Sequence, residues 1–372
     1  RFFVYQDTSL MAFVARPVLF FHRCMIETTA SSPLPTRFES IEALEAFLSL
    51  PSQGLVDDFS QLEGDILILG VGGKVGPTLA MMAKRAAPDK RVIGVARFSD
   101  ADVKSRIEAA GVETIACDLL DHDAVAKLPK VGNVVYMAGK KFGTAGSEPF
   151  TWAMNAVVPT YVGEQFSGTR FVAFSTLCVY PFSAVDGPGA HPEDTPPTPI
   201  GEYPNSCVAR ERIFQYFSIQ SQSPGRLARL NYAIDCRYGV LLDIALKVRA
   251  GEPIDLRTGL ANVIWQGDAI SHILRCLCHG TLPATAINIG MPQPASVCEV
   301  ACRFGEIFGR EPVFSGEEQP TAWHNDNREA KELFGDPVVD LDTMIRWNAD
   351  WLERGMPLHH KPTHYDERSG SF

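Results

Sequence analysis

Residues 65–87 read DILILGVGGKVGPTLAMMAKRAA, and this stretch decides the fold. The unbroken apolar run Ile66–Leu69 predicts a buried strand of a parallel sheet. Gly70, Gly73 and Gly76 follow, and glycines allow a tight turn and let backbone N–H groups approach a ligand. The helical pattern that begins at once directs its positive end at a phosphate group. Strand, glycine loop and helix together predict a dinucleotide site. The alternative is a glycine-rich turn that binds nothing.

Composition indicates an ordinary soluble enzyme. The chain has 372 residues, of which 45% are hydrophobic and 21% charged, and its net charge is −10. That charge disfavours nucleic acid and anionic membranes as partners, and no apolar segment reaches the 18 residues of a membrane span. Nine cysteines, several inside apolar runs, predict a reducing compartment and a cytoplasmic protein. Cys276, Cys278 and His279 lack a second ligand pair, so no metal site is predicted.

Strand and helix signals alternate from residue 65 onward. Such alternation predicts an α/β fold, a Rossmann-type doubly wound parallel sheet with a smaller C-terminal substrate lobe. The predicted strands are 65–69, 91–96, 113–116, 133–137, 170–175 and 226–230. The predicted helices include 77–87, 100–110, 150–166, 206–221 and 340–354.

Four regions are predicted along the chain. They are an N-terminal extension at 1–63, a dinucleotide-binding domain at 64–234, a mainly C-terminal substrate lobe at 235–354, and a polar tail at 355–372. Residues 1–24 have no initiator Met and little pattern, so an upstream read-through artefact is expected there. A signal peptide is the alternative for that segment.

Later motifs carry a family resemblance. The order and spacing of the motifs resemble the extended short-chain dehydrogenases/reductases, the NAD-dependent epimerase/dehydratase family, over roughly 64–354. The motifs are the glycine loop, Phe174–Tyr180 (FSTLCVY), Glu193–Pro197 (EDTPP) and Tyr203–Ser206 (YPNS).

The resemblance implies a role for each matching residue. Tyr203 takes a proton from an alcohol and Thr176 hydrogen-bonds the reacting oxygen, so these two are the predicted catalytic residues. The predicted cofactor residues are Gly70, Gly73, Lys74, Val75, Gly76, Arg97, Asp118, Leu119, Ala138, Gly139, Lys141 and Asn155. The predicted substrate residues are Cys178 and Asn231.

One departure from the family pattern concerns charge. The family motif is Tyr-x-x-x-Lys, but the fourth residue after Tyr203 is Cys207. The lysine ammonium lowers the tyrosine pKa toward neutrality, and a neutral thiol supplies no such charge. Another cation (Lys140 or Lys141 by position) substitutes, or Tyr203 acts only as a hydrogen-bond donor, or catalysis is lost. A redox role for Cys207 is a further alternative.

A second departure concerns the substrate. Nucleotide-sugar enzymes of the family usually carry a late arginine that holds the diphosphate, whereas the corresponding stretch LANVIWQGDAI offers Ala261, Asn262 and Asp268 and no arginine. A smaller polar substrate such as a free sugar, sugar acid or lactone is therefore as plausible as a nucleotide sugar.

The end of the second strand bears on the cofactor. NAD enzymes usually place an acid there, whereas an arginine accommodates the 2′-phosphate of NADP. This chain has Arg97, so NADP is slightly favoured over NAD.

The predicted function is that of an NAD(P)-dependent oxidoreductase or epimerase acting on a carbohydrate-like hydroxyl. A catalytically weakened dinucleotide-binding sensor or regulatory protein is the alternative. A small polar substrate and a homodimer are the expected partners, the latter by family analogy through helices 150–166 and 206–221.

Overall fold

The fold is organised around a seven-stranded parallel sheet. The computed structural model describes residues 34–141, 143–144, 146–186 and 190–370. The strands are β1 (Ile66–Leu69), β2 (Val92–Ala96), β3 (Glu113–Ala116), β4 (Asn133–Tyr136), β5 (Arg170–Thr176), β6 (Gly225–Leu230) and β7 (Thr285–Ile289). Their order is β7-β6-β5-β4-β1-β2-β3, with every neighbouring pair parallel. The predicted doubly wound Rossmann-type sheet is confirmed.

This strand order fixes where a ligand can bind. The connection from β1 runs outward to β2 and β3, and the chain then returns to place β4 on the other side of β1. Loops at the carboxyl ends of β1 and β4 therefore leave in opposite directions and open a crevice between them.

Helices cover both faces of the sheet. The α-helices are Ile41–Leu48, Gln53–Gln61, Gly76–Ala86, Ala101–Ala109, His122–Ala126, Glu148–Trp152, Val158–Gln165, Glu202–Ser221, Val240–Ala250, Gln266–Arg275, Val297–Phe308, Arg328–Phe334 and Leu341–Glu353. A π-helical turn spans Ala153–Val157 and a short 3₁₀ turn spans Leu177–Val179. Short two-stranded pairings join Ser183–Ala184 to Thr321–Ala322, Tyr232–Ile234 to Val263–Trp265, Pro253–Asp255 to Val313–Ser315, and Leu260–Ala261 to Ala295–Ser296.

Hydrophobic burial explains the predicted elements. All four residues of β1 are buried, as the apolar run required. The helix Gly76–Ala86 packs Leu79, Met82 and Ala83 into the same apolar core, and its Pro77 lies in the first turn, where no backbone N–H is needed.

Two predicted helices begin earlier in the structure. The helix predicted from residue 206 begins at Glu202, directly after Gly201, whose φ is +88°. Pro204 is compatible with this start because the first-turn N–H groups have no partner in the helix. The helix predicted over 150–166 begins at Glu148 and contains the π-helical turn.

A second apolar core lies among the C-terminal elements. Phe38, Trp265 and Trp347 meet there, with the rings of Phe38 and Trp347 centred 4.8 Å apart. Leu44 and Leu48 of the first helix and Tyr365 of the C-terminal tail belong to this core, and Thr363 of the tail donates its hydroxyl to Asp243 at 2.6 Å. Within the described ranges, no helix is long and apolar enough to span a membrane. The expectations for residues 1–24 lie outside the described residues.

The division at residues 234 and 235 stays a prediction. Strand β7 comes from the range predicted as the second lobe, yet it pairs with β6 in the central sheet. The helix Gln266–Arg275 from that range also shares the sheet's apolar core through Ile270 and Ile273.

Candidate active site

The glycine loop lies against the end of β4. Gly70 has a φ of +95°, and a Cβ there would lie 2.6 Å from the backbone nitrogen of Ala138. A Cβ on Gly76 would lie 2.1 Å from the Val71 carbonyl oxygen. A Cβ on Gly73 would meet nothing closer than a carbonyl oxygen at 3.8 Å. Gly70 and Gly76 therefore let the loop close, whereas Gly73 borders open space.

That open space is a cleft of about 280 Å³ between the ends of β1, β2 and β4. Its lining includes the predicted cofactor residues Gly70, Gly73, Arg97, Asp118, Leu119, Ala138 and Gly139. Lys74, Val75, Gly76, Lys141 and Asn155, predicted for the same site, lie outside this lining. A cleft of this shape above a helix N-terminus fits a dinucleotide, because the loop offers backbone N–H groups without side chains.

Arg97, Ser99 and two aspartates lie at one end of the cleft. Arg97 follows β2 and is exposed, with Ser99 beside it in the lining. The Asp100 carboxylate accepts from the Asp102 N–H at 3.0 Å, so it caps the next helix. Asp118 lies after β3, and its carboxylate accepts from the Leu120 N–H at 3.1 Å.

A second cavity of about 200 Å³ adjoins the cleft, sharing Met137 and Gly139 with it. The structure brings the predicted residues Thr176, Tyr203, Lys141 and Asn231 together in its lining. They come from the ends of β4, β5 and β6 and from the helix Glu202–Ser221. Cys178, predicted to contact substrate, is fully buried in the apolar cluster behind this cavity and does not line it.

Thr176 and Tyr203 form a hydrogen-bonded pair. Thr176 ends β5, and its hydroxyl accepts from the Cys178 N–H at 3.3 Å. Its side chain also hydrogen-bonds Tyr203, which stands in the first turn of its helix. Burial raises the pKa of Tyr203 well above its usual value, while the positive charge of Arg210 and the Thr176 hydrogen bond oppose that rise.

Cys207 occupies the second turn of the same helix and is fully buried. Burial raises the pKa of its thiol to about 11, although Arg210 and a hydrogen bond with Tyr203 act in the other direction. The residue is therefore a neutral thiol at pH 7, which disfavours the redox alternative because the thiolate is the reactive form.

Asn155 connects the loop after β4 to the helix Glu202–Ser221 through hydrogen bonds. Its Oδ1 accepts from the Lys140 N–H at 2.9 Å, and its Nδ2 donates to the Lys140 carbonyl at 3.0 Å and to Ser206 Oγ at 2.9 Å. Arg210 Nη2 donates to the same Oδ1 at 2.6 Å. The π-helical turn that carries Asn155 is a feature often found at functional sites.

Sequence reasoning missed Arg210. The residue lines the second cavity, is 5% exposed, and donates from Nη1 to the Phe174 carbonyl at 2.9 Å. One signal was available, because Tyr203, Cys207 and Arg210 are spaced by four and three, which places them on one helix face.

The lysines of the site have other environments. Lys140 Nζ donates a hydrogen bond to Ser147 Oγ. Lys141 Nζ lies 5.5 Å from the ring centre of Tyr232, and burial lowers its pKa. Lys74 Nζ lies 3.0 Å from the ring centre of Tyr238, and burial together with the charges of Lys361 and Lys141 lowers the Lys74 pKa to about 8.

The EDTPP motif is hydrogen-bonded to an arginine of a buried ion pair. Arg229 of β6 pairs with Glu211 of the helix Glu202–Ser221 at 2.8 Å and donates to the Glu193 carbonyl at 3.0 Å. Glu193 Oε1 in turn accepts from the Asn288 N–H at 2.9 Å. These two hydrogen bonds connect Glu193 to strands β6 and β7 of the sheet.

The sequence of this site region matches a known family. Residues 66–233 fit the sequence model of the NAD dependent epimerase/dehydratase family. This segment belongs to that family. The predicted family resemblance is confirmed over this segment.

Solved structures of such epimerases and dehydratases share the fold. UDP-glucuronic acid 4-epimerase from Bacillus cereus, in complex with UDP-glucuronic acid and NAD, is 18% identical with a TM-score of 0.64, covering 78% of this chain and 99% of its own. UDP-glucose 4-epimerase from Thermotoga maritima, with UDP-glucose, is 17% identical with a TM-score of 0.63 and the same coverages. dTDP-glucose 4,6-dehydratase from Bacillus anthracis, with NAD, is 18% identical with a TM-score of 0.63, covering 78% of this chain and 96% of its own. No curated protein sequence matches the chain.

Proposed function

We propose that the protein is an NAD(P)-dependent epimerase, dehydratase or reductase that acts on a hydroxyl group of a carbohydrate-like substrate. The observation that carries this proposal is the convergence of Thr176, Tyr203 and Asn231 in one cavity that shares Gly139 with the cleft behind the glycine loop. The similar structures named above hold nucleotide sugars or NAD, which supports the same class of ligands for this chain.

The glycine loop and Asp118 are the residues that would hold the dinucleotide, with its phosphates on the N–H groups before the helix Gly76–Ala86. Arg97 follows β2 and lines the cleft, and because an arginine after the second strand accommodates the 2′-phosphate of NADP, NADP is proposed to bind slightly better than NAD. When bound, the dinucleotide supplies two-electron redox chemistry at a carbinol carbon.

The chain's own residues handle the proton and orient the substrate. Tyr203 in its phenolate form takes the hydroxyl proton while the carbinol carbon is oxidised, and Thr176 hydrogen-bonds the reacting oxygen. Asn231 is 5% exposed, and its Oδ1 has no hydrogen-bond partner among the residues that the structure describes. It therefore offers an acceptor to a second substrate hydroxyl.

Asn262, at the position of the family's late arginine, bears on the substrate class. Asn262 is buried, and its Nδ2 donates to Asn325 Oδ1 at 3.0 Å and to the Trp323 carbonyl at 3.3 Å. An amide held in this way supplies no positive charge for a diphosphate. This supports a free sugar, sugar acid or lactone as strongly as a nucleotide sugar.

Exposed apolar side chains support the proposed homodimer. Large apolar side chains project to solvent on the elements predicted to form the interface. They are Phe150 (42% exposed), Trp152 (38%), Val157 (42%), Tyr216 (58%) and Ile219 (53%). A self-association face of this kind hides apolar area that a monomer leaves in water.

The experiment separates binding from turnover. Calorimetry measures NAD and NADP binding, and turnover is measured with UDP-glucose, UDP-glucuronic acid, dTDP-glucose, free sugars and sugar acids. Tyr203→Phe is expected to keep dinucleotide binding and lose at least about 100-fold in turnover. Arg212→Gln, exposed on the same helix, is the control and leaves turnover unchanged.

Two outcomes would overturn the proposal. Unchanged turnover in Tyr203→Phe removes the assigned role of that hydroxyl. Tight dinucleotide binding without turnover of any compound in the panel supports the alternative, a dinucleotide-binding sensor, for which Cys207 in place of lysine is the favouring observation.

A further inference from the structure

Arg210 is a buried cation held in a fixed position. Its Nη1 donates to the Phe174 carbonyl at 2.9 Å and its Nη2 to Asn155 Oδ1 at 2.6 Å. Its Nε is buried without a hydrogen-bond partner among the described residues. Two elements thus fix the guanidinium at the wall of the cavity that contains Tyr203.

No carboxylate of the described chain lies within ion-pair distance of Arg210. The adjacent Glu211 is paired with Arg229 at 2.8 Å instead. Burying a charge without a partner of opposite sign is costly. The groups whose negative charge would act on Arg210 are the Cys207 thiol, the Tyr136 and Tyr203 phenols and, outside ion-pair distance, the Glu211 carboxylate.

The backbone leaves room for this guanidinium. A Cβ on Gly139 would lie 2.4 Å from Arg210 Nη2, so a side chain at position 139 would displace it. Tyr203, Cys207 and Arg210 follow at i, i+4 and i+7 and so lie on one face of the helix. Arg210 therefore places a positive charge on the same helix face as position 207, about one turn later.

The other groups around Tyr203 do not supply this charge equally well. Thr176 and Cys178 face it from the end of β5, and Cys207 and Arg210 face it from its own helix. From the loop after β4, Lys140 is bonded to Ser147, and burial lowers the pKa of Lys141. A guanidinium, in contrast, keeps its charge at every pH that the folded protein experiences.

We infer that Arg210 supplies the positive charge that stabilises the phenolate form of Tyr203, the role that a lysine at position 207 would have. Arg210 acts through Tyr203 and is a positioning residue. Its importance for turnover rests on the proposed function, whereas its electrostatic effect on Tyr203 can be measured without any substrate.

The test follows the ionisation of Tyr203 directly. The nine tyrosines are replaced biosynthetically by 3-fluorotyrosine, and fluorine NMR follows each phenol as the pH is raised. Tyr203→Phe assigns the signal. Arg210→Gln, which keeps hydrogen-bond donors but loses the charge, is expected to raise the pKa of Tyr203 by at least about one pH unit.

Arg212→Gln is the matched control, because Arg212 is exposed on the same helix and its Nη1 donates to Gln215 Oε1 at 2.7 Å. It should leave the Tyr203 titration unchanged. An unchanged titration in folded Arg210→Gln overturns the inference.

A second variant keeps the test decisive if Arg210→Gln does not fold. In Gly139→Ala the added Cβ, 2.4 Å from Arg210 Nη2, displaces the guanidinium, so a Tyr203 pKa higher than that of the unsubstituted protein supports the inference. An unchanged Tyr203 titration in folded Gly139→Ala overturns it. Turnover of Tyr203→Phe is independent of these titrations, so failure of the proposed function and failure of this inference remain distinguishable.

Discussion

Replacing Gly70 by alanine tests how the glycine loop is built. The new Cβ would lie 2.6 Å from the Ala138 backbone nitrogen, and the residue would have to keep a φ of +95°. The left-handed conformation costs about 1–2 kcal/mol for an L-residue. Relief of the backbone clash adds about 1–3 kcal/mol. We therefore expect Gly70→Ala to lower the free energy of unfolding by about 2–5 kcal/mol and to weaken dinucleotide binding.

Two further glycines separate these contributions. Gly309 has a φ of +61°, and a Cβ there would have no described atom within 4 Å, so Gly309→Ala should cost only the conformational part, about 1–2 kcal/mol. Gly73 has no positive φ, and the nearest neighbour of a Cβ there would be 3.8 Å away. Gly73→Ala should leave stability within about 0.5 kcal/mol while its methyl group enters the cleft.

Urea unfolding and calorimetric titration with NAD and NADP measure both effects. Dinucleotide affinity should fall at least about tenfold, about 1.4 kcal/mol, in Gly73→Ala and Gly70→Ala but not in Gly309→Ala. The reasoning is refuted if Gly70→Ala and Gly309→Ala are equally destabilised, because the contact with Ala138 would then have no cost. It is also refuted if Gly73→Ala binds the dinucleotide normally.

Three other predictions test single groups. Arg97→Ala should weaken NADP binding by calorimetry at least about tenfold more than NAD binding, and an equal loss for both would contradict the proposed 2′-phosphate contact. Arg229→Met leaves Glu211 buried without its ion-pair partner, so urea unfolding should show a loss of about 3–5 kcal/mol, and a loss below about 1 kcal/mol would contradict this. Burial lowers the pKa of His272 from 6.5 to about 4, so the unfolded chain binds more protons between these pH values. Stability present above pH 6.5 should therefore fall by up to about 3 kcal/mol on acidification through this window, an effect that His272→Gln removes; identical pH dependence of both proteins would count against it.

Most of the sheet could be predicted from the sequence because apolar residues dominate β1, β2 and β4 and because strand and helix patterns alternate. The glycine loop located β1 and its following helix, and the alternation of patterns located β2 to β6. Strand β7 was missed because Thr285–Ile289 has only two large apolar residues, Ile287 and Ile289, which Asn288 separates. Its burial comes from pairing with β6, a contact that the local pattern does not reveal.

Part of the site could also be predicted, because the family motifs place their residues at strand ends and helix starts, and the sheet holds these in position. Thr176 ends β5 and Tyr203 begins a helix, so the fold carries both to one cavity. Cys178 was assigned to the substrate side, but the 3₁₀ turn Leu177–Val179 directs it into the apolar cluster. A single turn of backbone decides this, and the sequence pattern does not determine the turn.

Arg210 shows why the charge at the site was harder to predict than its shape. A shape is set by strand ends and helix starts, which have strong local signals. The position of a guanidinium at the end of a long side chain depends on distant partners, here Asn155, 55 residues away, and Phe174, 36 residues away. It also depends on a missing side chain at Gly139. The absence of lysine at position 207 is therefore informative only together with these contacts, and a motif search that stops at Cys207 would overlook the buried guanidinium of Arg210 in the lining of the cavity that contains Tyr203.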